Sequence, residues 1–388
     1  AKRPAGAPDS SLARPVTKVG IVGAGLMASQ LALLFARRLG VPVVMTDLDE
    51  ARVAMGVDWV RSEIQGLLTK GRVSPDKASF LTRLVTGSTS KSGFADADFV
   101  IEAVFEEMSV KRQVFAEVEA VVSAECVLAS NTSSLSITEM ASALQHPERV
   151  VGFHFFNPVA VMPLLEVIPG DHTDDSALAT AFATGRALGK TTIRVKDSAS
   201  FVVNRLLGRF MGEFSRIVDE GTPVTTADRA VAGLAPMPPF VVLGLVGPTI
   251  ALHNSETLNR AFGDRFHVSP SLRRLVEAGK RGYYLMDDGR PVPDPEVLAM
   301  AERPENPVEL TVEQARERIL GVLAEEVGLL LSEGVVATPM DIDLAMITGA
   351  GFQFWNGGLC PLLDREGASE RVVGRRFLPP GVASVPPG

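Results

Sequence analysis

The chain has 388 residues, 46% of them hydrophobic and 22% charged, with a net charge of −8. That length accommodates two or three domains with cores of their own, and the acidic balance excludes a dedicated nucleic-acid binder. The most apolar segment, Pro239 to Leu252, is short and broken by Gly244, Gly247 and Pro248, so no membrane span is expected. Two distant cysteines (Cys126, Cys360) and five unclustered histidines point to a reducing, cytoplasmic setting without a metal.

Residues 1–15, "AKRPAGAPDSSLARP", lack the apolar stretch of a secretory signal and read as a disordered tail or linker. Next, "TKVGIVGAGLMASQLALLFARRLG" passes from a β-branched run through glycines into a helical pattern, and "VPVVMTDLDE" follows as a second buried strand. This order is a βαβ unit. A helix over 49–70, a strand at "ADFVIEAV", a helix over 109–123 and a strand at "CVLASNTSS" continue the alternation. Strands at "RVVGFHFF", "LLEVIPG" and "TTIRVKD" complete an α/β domain over 16–199.

From about Ser198 strand-like runs give way to helical stretches, and an internal repeat emerges. "RLLGRFMGEFSRIVDEGTPVTTAD" (205–228) aligns with "RILGVLAEEVGLLLSEGVVATPMD" (318–341) at a constant offset of 113. Arg205/Arg318, Glu213/Glu326, Glu220/Glu333, Gly221/Gly334 and Asp228/Asp341 coincide. Matching Arg, Gly and Asp at one offset favour duplication over two unrelated amphipathic helices. The expected organisation is the α/β domain, a helical domain over 200–296, a related one over 297–376, and a Pro-rich tail over 377–388.

"VGAGLMA" supplies Gly23, Gly25 and Ala28 in a G-x-G-x-x-G/A pattern. Gly23 suits the tight turn, Gly25 admits a pyrophosphate to the helix N-terminus, and Ala28 is small enough for close helix–strand packing. The second strand ends at Asp47, 24 residues after Gly23. A carboxylate there accepts from the adenosine ribose hydroxyls and repels a 2′-phosphate, so NAD is the expected cofactor rather than NADP.

Late in this domain "GFHFFNPVAVMPLLEVIPG" (152–170) sets His154 among phenylalanines and delivers one carboxylate, Glu166, on the next apolar run. On hairpin-like strands they could form a general base and its orienting carboxylate. A core histidine satisfied by backbone reads equally well from the residues alone. "SNTSSLSITE" places Asn131 and Ser133 after a buried strand, where such sheets face ligand, while Ser136 and Glu139 have capping-box spacing. Asn204 in "FVVNRLL" opens the helical region, either facing a ligand or capping a helix.

Taken in order, "GAGLM", "EAVFEEMSVK", "SNTSSL", "GFHFFNPV", "LLEVI" and "FVVNRLL" resemble the L-3-hydroxyacyl-CoA dehydrogenase family of fatty-acid β-oxidation, over about residues 16–285. The second helical copy resembles the extra C-terminal domain of multifunctional β-oxidation enzymes. The resemblance implies a Rossmann-type domain followed by two related all-α domains like the C-terminal domain of 6-phosphogluconate dehydrogenase. It further implies oxidation of an acyl-CoA thioester, a hydratase domain and thiolase partner in a multienzyme complex, and a chain cut from, or related to, a longer polypeptide. At matching positions His154 is the base, Glu166 its orienter, and Ser133 and Asn204 the substrate contacts. Asp47 binds the ribose, while Glu106, Lys111, Asn131, Ser133 and Asn157 line the nicotinamide side. Met27 sits at the dinucleotide turn, and Lys70 is a candidate for the CoA phosphates, against a plain solvated lysine.

The family pattern "PMGPFEL-D" is altered: "PMPPFVVLGLVG" has Pro238, Val241 and Gly244 where Gly, Glu and Asp are usual. Packing there, or acyl-chain preference, is thereby open. The position equivalent to Asn204 in the second copy is Glu317, which makes that copy structural. The duplicate is expected to form, within one chain, the contact that single-copy relatives make as homodimers. A dehydrogenase of a non-CoA hydroxy acid, or a crystallin-like scaffold without turnover, are the competing readings.

Overall fold

The computed structural model describes residues 4–234, 237–288, 290–300 and 304–382. Residues 1–3 and 383–388 of the expected tails, Ala235 and Pro236 of the altered segment, Gly289, and residues 301–303 lie outside them. The chain divides into two compact units, 1–201 and 202–388.

The first unit runs β1 (Val19–Val22), α1 (Leu26–Leu39), β2 (Val43–Thr46), α2 (Glu50–Thr69), α3 (Pro75–Leu84), β3 (Val85–Ser88), β4 (Phe99–Glu102), α4 (Met108–Glu119), β5 (Val127–Ser130), α5 (Ile137–Ala141), β6 (Val150–Phe155), β7 (Leu164–Pro169), α6 (Asp175–Ala187) and β8 (Thr191–Arg194). The eight strands form one sheet in the order β3-β2-β1-β4-β5-β6-β7-β8. The first six are mutually parallel, β7 runs antiparallel to β6, and β8 is parallel to β7. Strands buried on both faces need helices on both faces, which their continuous apolar runs reflect. The phenylalanine rings of Phe35, Phe99, Phe153 and Phe155 touch in series through this core, with centroids 5.2–5.9 Å apart.

The parallel register matters for function. Val22 lies opposite both Thr46 and Glu102, and Glu102 opposite Ser130. The segments after β1, β2, β4 and β5 therefore leave the same edge of the sheet, and the strand order reverses direction between β1 and β4. Crevices for nucleotides form at such a switch point.

Residues 4–15, expected as a tail, are seated on this unit. Ser10–Leu12 form a 3-10 turn capped by Asp9, the Arg14 amide donates to Thr180 Oγ1 at 2.9 Å, and the Arg14 guanidinium meets Glu125 at 2.8 Å.

The second unit runs α7 (Val203–Asp219), α8 (Val224–Ala230), α9 (Pro239–Val246), α10 (Pro248–Phe262), α11 (Pro270–Glu277), β9 (Tyr284–Asp287), β10 (Arg290–Pro293), α12 (Pro295–Met300), α13 (Val312–Ser332), α14 (Pro339–Gly349), α15 (Leu359–Arg365) and α16 (Ala368–Val373). The antiparallel ribbon β9–β10 departs from the all-helical expectation. Its strands contain Pro291 and Pro293, which weaken any strand signal in the sequence.

At the contact of α7 with α13, each copy of the repeat supplies an arginine to the other's glutamates. Arg205 donates to Glu326 at 2.6 Å and Glu333 at 2.7 Å, while Arg318 donates to Glu213 at 2.6 Å and Glu220 at 2.5 Å. The two sets are reciprocal: Arg205 and Arg318 are 113 apart, and so are Glu213 and Glu326, and Glu220 and Glu333. Beyond α7 and α13 the register slips. Asp341 closes a capping box with Thr338, whereas the buried carboxylate that receives a backbone N–H from a following helix is Asp343, from Cys360 at 2.7 Å. In the first copy Asp228 has that role, accepting from Phe240 N at 3.2 Å and from Tyr284 Oη at 2.6 Å. The structural counterpart of Asp228 is thus Asp343, not Asp341.

Candidate active site

Gly23 has φ +112°, a conformation costly for any side chain, and a Cβ there would lie 2.7 Å from the Ala103 carbonyl oxygen. Gly25 opens α1 without a side-chain cap, and a Cβ on it would meet nothing within 4 Å. The first orphan N–H groups of α1 therefore border open space, as anion binding at a helix N-terminus requires. Ala28 is fully buried. Met27 is half-buried in the first turn of α1 and packs against the core.

At the end of β2, the Asp47 carboxylate accepts from Ala24 N at 2.7 Å and Leu48 N at 2.7 Å, which ties it to the glycine turn. Leu26, Leu48 and Phe105 are 56%, 85% and 76% exposed. All three follow strands that end at the same edge of the sheet. A carboxylate ending β2 beside an open glycine turn fits NAD.

Following β4, Glu106 gathers the loop that leaves β5. Its Oε1 accepts from Thr132 Oγ1 at 2.6 Å, Ser133 N at 2.8 Å, Ser133 Oγ at 3.1 Å and Ser134 Oγ at 3.2 Å. Lys111, almost fully buried on α4, reaches Glu106 at 3.2 Å and both oxygens of Glu102 at 2.9 Å. Burial would raise the Glu106 carboxyl, but the Lys111 ammonium and the Thr132 and Ser133 donors hold it below its ordinary value. Glu102 also accepts from Ser130 Oγ. Sequence reasoning found Glu106, Lys111 and Ser133 but missed Glu102; a carboxylate ending a buried strand was the available signal, since it must have a partner.

Asn131 and Asn157 each accept one hydrogen bond that orders the sheet edge. Asn131 Oδ1 takes Phe155 N at 3.0 Å, and Asn157 Oδ1 takes Gln30 Nε2 at 3.0 Å. Gln30 also accepts from Val159 N at 2.7 Å, clamping the segment after β6 to α1, a role the sequence did not disclose. Asp197 is a second such anchor. It accepts from Ser136 Oγ at 2.7 Å and Thr138 N at 2.8 Å, while Ser136 caps α5 through Glu139 N, so the capping reading of that serine holds.

His154 and Glu166 are direct partners across β6 and β7. His154 Nδ1 stands 2.7 Å from Glu166 Oε2, and both residues are buried. The imidazole lies 4.5 Å from the Phe156 ring and 5.7 Å from that of Phe201. A carboxylate at Nδ1 selects the tautomer with its proton there and leaves the Nε2 lone pair as a base. Asn204 is on the first turn of α7, in the second unit. Lys70 is the exposed C-cap residue of α2, and its ammonium forms no ion pair among the described residues. The structure gives Lys70 no link to the other candidates.

A switch-point crevice with a glycine turn, an acidic residue after β2 and a buried His–carboxylate pair defines an NAD-binding oxidoreductase of the doubly wound α/β class. Residues 18–198 match the 3-hydroxyacyl-CoA dehydrogenase NAD-binding domain, and residues 201–285 match that family's C-terminal domain. The chain belongs to the 3-hydroxyacyl-CoA dehydrogenase family. It is 34% identical over 382 residues to the fatty acid oxidation complex subunit alpha of Acinetobacter baylyi, covering 93% of this chain and 52% of that one. It thus spans about half the length of the curated relatives it matches. The (S)-3-hydroxybutyryl-CoA dehydrogenase structure from Ralstonia eutropha is 34% identical with a TM-score of 0.65, covering 68% of this chain and 95% of that one. The 3-hydroxybutyryl-CoA dehydrogenase structure from Escherichia coli, 23% identical, shares the fold over 95% of this chain and 98% of its own, with a TM-score of 0.77.

Proposed function

We propose that this chain oxidises the hydroxyl of an L-3-hydroxyacyl-CoA thioester to the 3-oxo thioester in fatty-acid oxidation. NAD, when bound, supplies the hydride acceptor. His154 Nε2 takes the proton of the 3-hydroxyl, and Glu166 holds the ring and stabilises the imidazolium that forms. Ser133 and Asn204 hold the reacting oxygen and the acyl group, which fixes the geometry at C3. The Gly23–Gly25 turn and Met27 receive the dinucleotide, with Asp47 at its ribose. Glu106, Lys111, Asn131 and Asn157 shape the nicotinamide side; Lys70 is left as a solvated lysine.

The observation that carries this reading is the 2.7 Å contact of His154 Nδ1 with Glu166 Oε2, buried beside aromatic rings at the sheet edge where the glycine turn lies. The test is consumption of NADH with acetoacetyl-CoA by the wild type and by His154→Ala. Turnover lost in the variant alone supports the assignment; turnover of free hydroxy acids only, or of nothing, overturns it.

The two helical copies replace the homodimer contact of single-copy relatives within one chain, a reading supported by the reciprocal Arg205 and Arg318 pairs. A hydratase and a thiolase are the enzymes it is proposed to work beside. No helix among the described residues is long and apolar enough to cross a membrane.

A further inference from the structure

The turn between β6 and β7 joins the strand of His154 to that of Glu166 and is pinned from two sides. Val161 N and Met162 N both donate to the Pro158 carbonyl at 2.9 Å, which closes the turn on itself. Val159, fully buried, is held at both of its backbone groups. Its N–H donates to Gln30 Oε1 of α1 at 2.7 Å, and its carbonyl accepts from Lys190 Nζ, which also donates to the Met162 carbonyl at 2.7 Å. Asn157, exposed at the start of the turn, accepts from Gln30 Nε2 through its Oδ1 at 3.0 Å.

We propose that Gln30 is a positioning residue that sets the polarity of the Asn157 amide, so that Asn157 offers a donor to a carbonyl oxygen of the nicotinamide carboxamide, a proposal that rests on the nicotinamide-side role given to Asn157 above. A backbone N–H only donates. Val159 N therefore draws Gln30 Oε1 toward itself and turns Gln30 Nε2 toward Asn157. An amide nitrogen likewise only donates, so Asn157 meets it with Oδ1 and directs Nδ2 away. No described residue accepts from that Nδ2. The end of the Asn157 amide left for a ligand is its N–H donor.

The same side chain reaches back to the glycine turn. Gln30 stands on α1, five residues after Gly25, so it ties the helix whose N-terminus borders that turn to the segment that carries Asn157. Lys190 holds the segment from the other side, but its hydrogen bonds go to the carbonyls of Val159 and Met162 and leave the amide polarity untouched. Support and orientation are thus divided between two residues: Lys190 and Gln30 both fix where the turn lies, and Gln30 alone fixes which end of Asn157 faces outward.

The experiment titrates NAD and 3-acetylpyridine adenine dinucleotide, which keeps the carbonyl but carries a methyl in place of the amide nitrogen. Calorimetry gives the ratio of the analogue's Kd to that of NAD. Gln30→Glu still accepts from Val159 N but cannot donate, so the Asn157 amide must turn over and offer its oxygen outward. The analogue has no N–H to give that oxygen, and the ratio should rise about tenfold over wild type. The added charge acts on both dinucleotides alike and cancels in the ratio. Asn157→Asp, with Gln30 intact, also presents an oxygen and should raise the ratio in the same direction, which serves if Gln30→Glu does not fold. Lys190→Met loosens the turn without turning the amide and should weaken both ligands by the same factor. In the cofactor-free protein, hydrogen exchange at the Val159 amide should stay slow in Gln30→Glu and speed up about tenfold in Gln30→Met. A ratio unchanged in Gln30→Glu and Asn157→Asp, while Asn157→Ala weakens NAD binding, overturns the role of Gln30 alone. An Asn157→Ala protein that binds NAD as the wild type does overturns the nicotinamide-side reading of Asn157 and this proposal with it.

Discussion

His154 Nδ1 and Glu166 Oε2 lie 2.7 Å apart as register partners on antiparallel strands, so the proposed base and its orienting carboxylate are set by one pair of backbone ladders. Replacing His154 by Ala removes the proton acceptor and should lower kcat by about 10²–10⁴. Glu166→Gln keeps the shape but loses a charged hydrogen bond of about 1.5–3 kcal/mol, and should cost about 10–100-fold. Steady-state kinetics with separate NADH-binding titrations check both. A His154→Ala enzyme that retains more than a tenth of its kcat would remove His154 from the mechanism.

Asp47, the proposed ribose ligand, pins Ala24 N of the glycine turn at 2.7 Å. Asp47→Asn should weaken NAD binding by about 10–100-fold through the loss of charge-assisted hydrogen bonds. Affinity for NADP should fall less or rise, because the repulsion of the 2′-phosphate is gone. Fluorescence titrations with both nucleotides give the ratio, and an unchanged ratio would place the ribose elsewhere.

Lys111 is the one cation buried between Glu102 and Glu106, at 2.9 and 3.2 Å. Lys111→Met strands Glu102 without its cation and should cost about 3–5 kcal/mol. The acid limb should move as well. The folded Glu106 carboxyl lies below its ordinary value of 4.5. Its contribution to stability is therefore present above that value and lost as pH falls through the folded one. Removing the Lys111 charge should shift acid unfolding to higher pH, as followed by circular dichroism.

These residues also mark what the sequence disclosed. His154 and Glu166 were legible as candidates because each interrupts an apolar strand, yet their contact depends on a register that composition does not encode. Glu102 was not singled out because its partner Lys111 lies nine residues away, on a helix beyond an intervening loop. Gln30 acts through the backbone of Val159 and carries no pattern at all. The repeat was plain at its offset of 113, but the exchange of arginines between copies is a tertiary fact. The slip that makes Asp343 the counterpart of Asp228 appears only when their backbone partners are seen.

Arg205 is fully buried against Glu326, and the Arg318 set repeats the arrangement across the pseudo-twofold contact. Arg205→Met leaves Glu326 short of one cation and should destabilise the second unit by about 3–5 kcal/mol. Adding Glu326→Leu should not restore the loss, because Arg265, 3.1 Å from the same carboxylate, then loses its partner. A denaturation double-mutant cycle measures the coupling. Light scattering on the wild type should show no obligate dimer through α7, since its arginine-and-glutamate face is already paired with α13.

Asp343 carries the clearest pH signature of the second unit. Burial pushes its carboxyl up to about 6 from an ordinary 3.8, against the Cys360 and Leu359 donors that favour the anion, and neighbouring Asp364 pushes the same way as burial. A raised folded value means that the folded state holds the proton more tightly than the unfolded chain does. The resulting stabilisation is complete below about 3.8 and is lost as pH rises through about 6, at most about 3 kcal/mol. Asp343→Asn retains an oxygen for Cys360 N and carries no charge. It should flatten the stability profile between pH 4 and 6 and raise stability at pH 7 and above relative to wild type. Chemical denaturation across that range tests this. A variant that is less stable than wild type at neutral pH would show that the Asp343 anion stabilises the loop before α15.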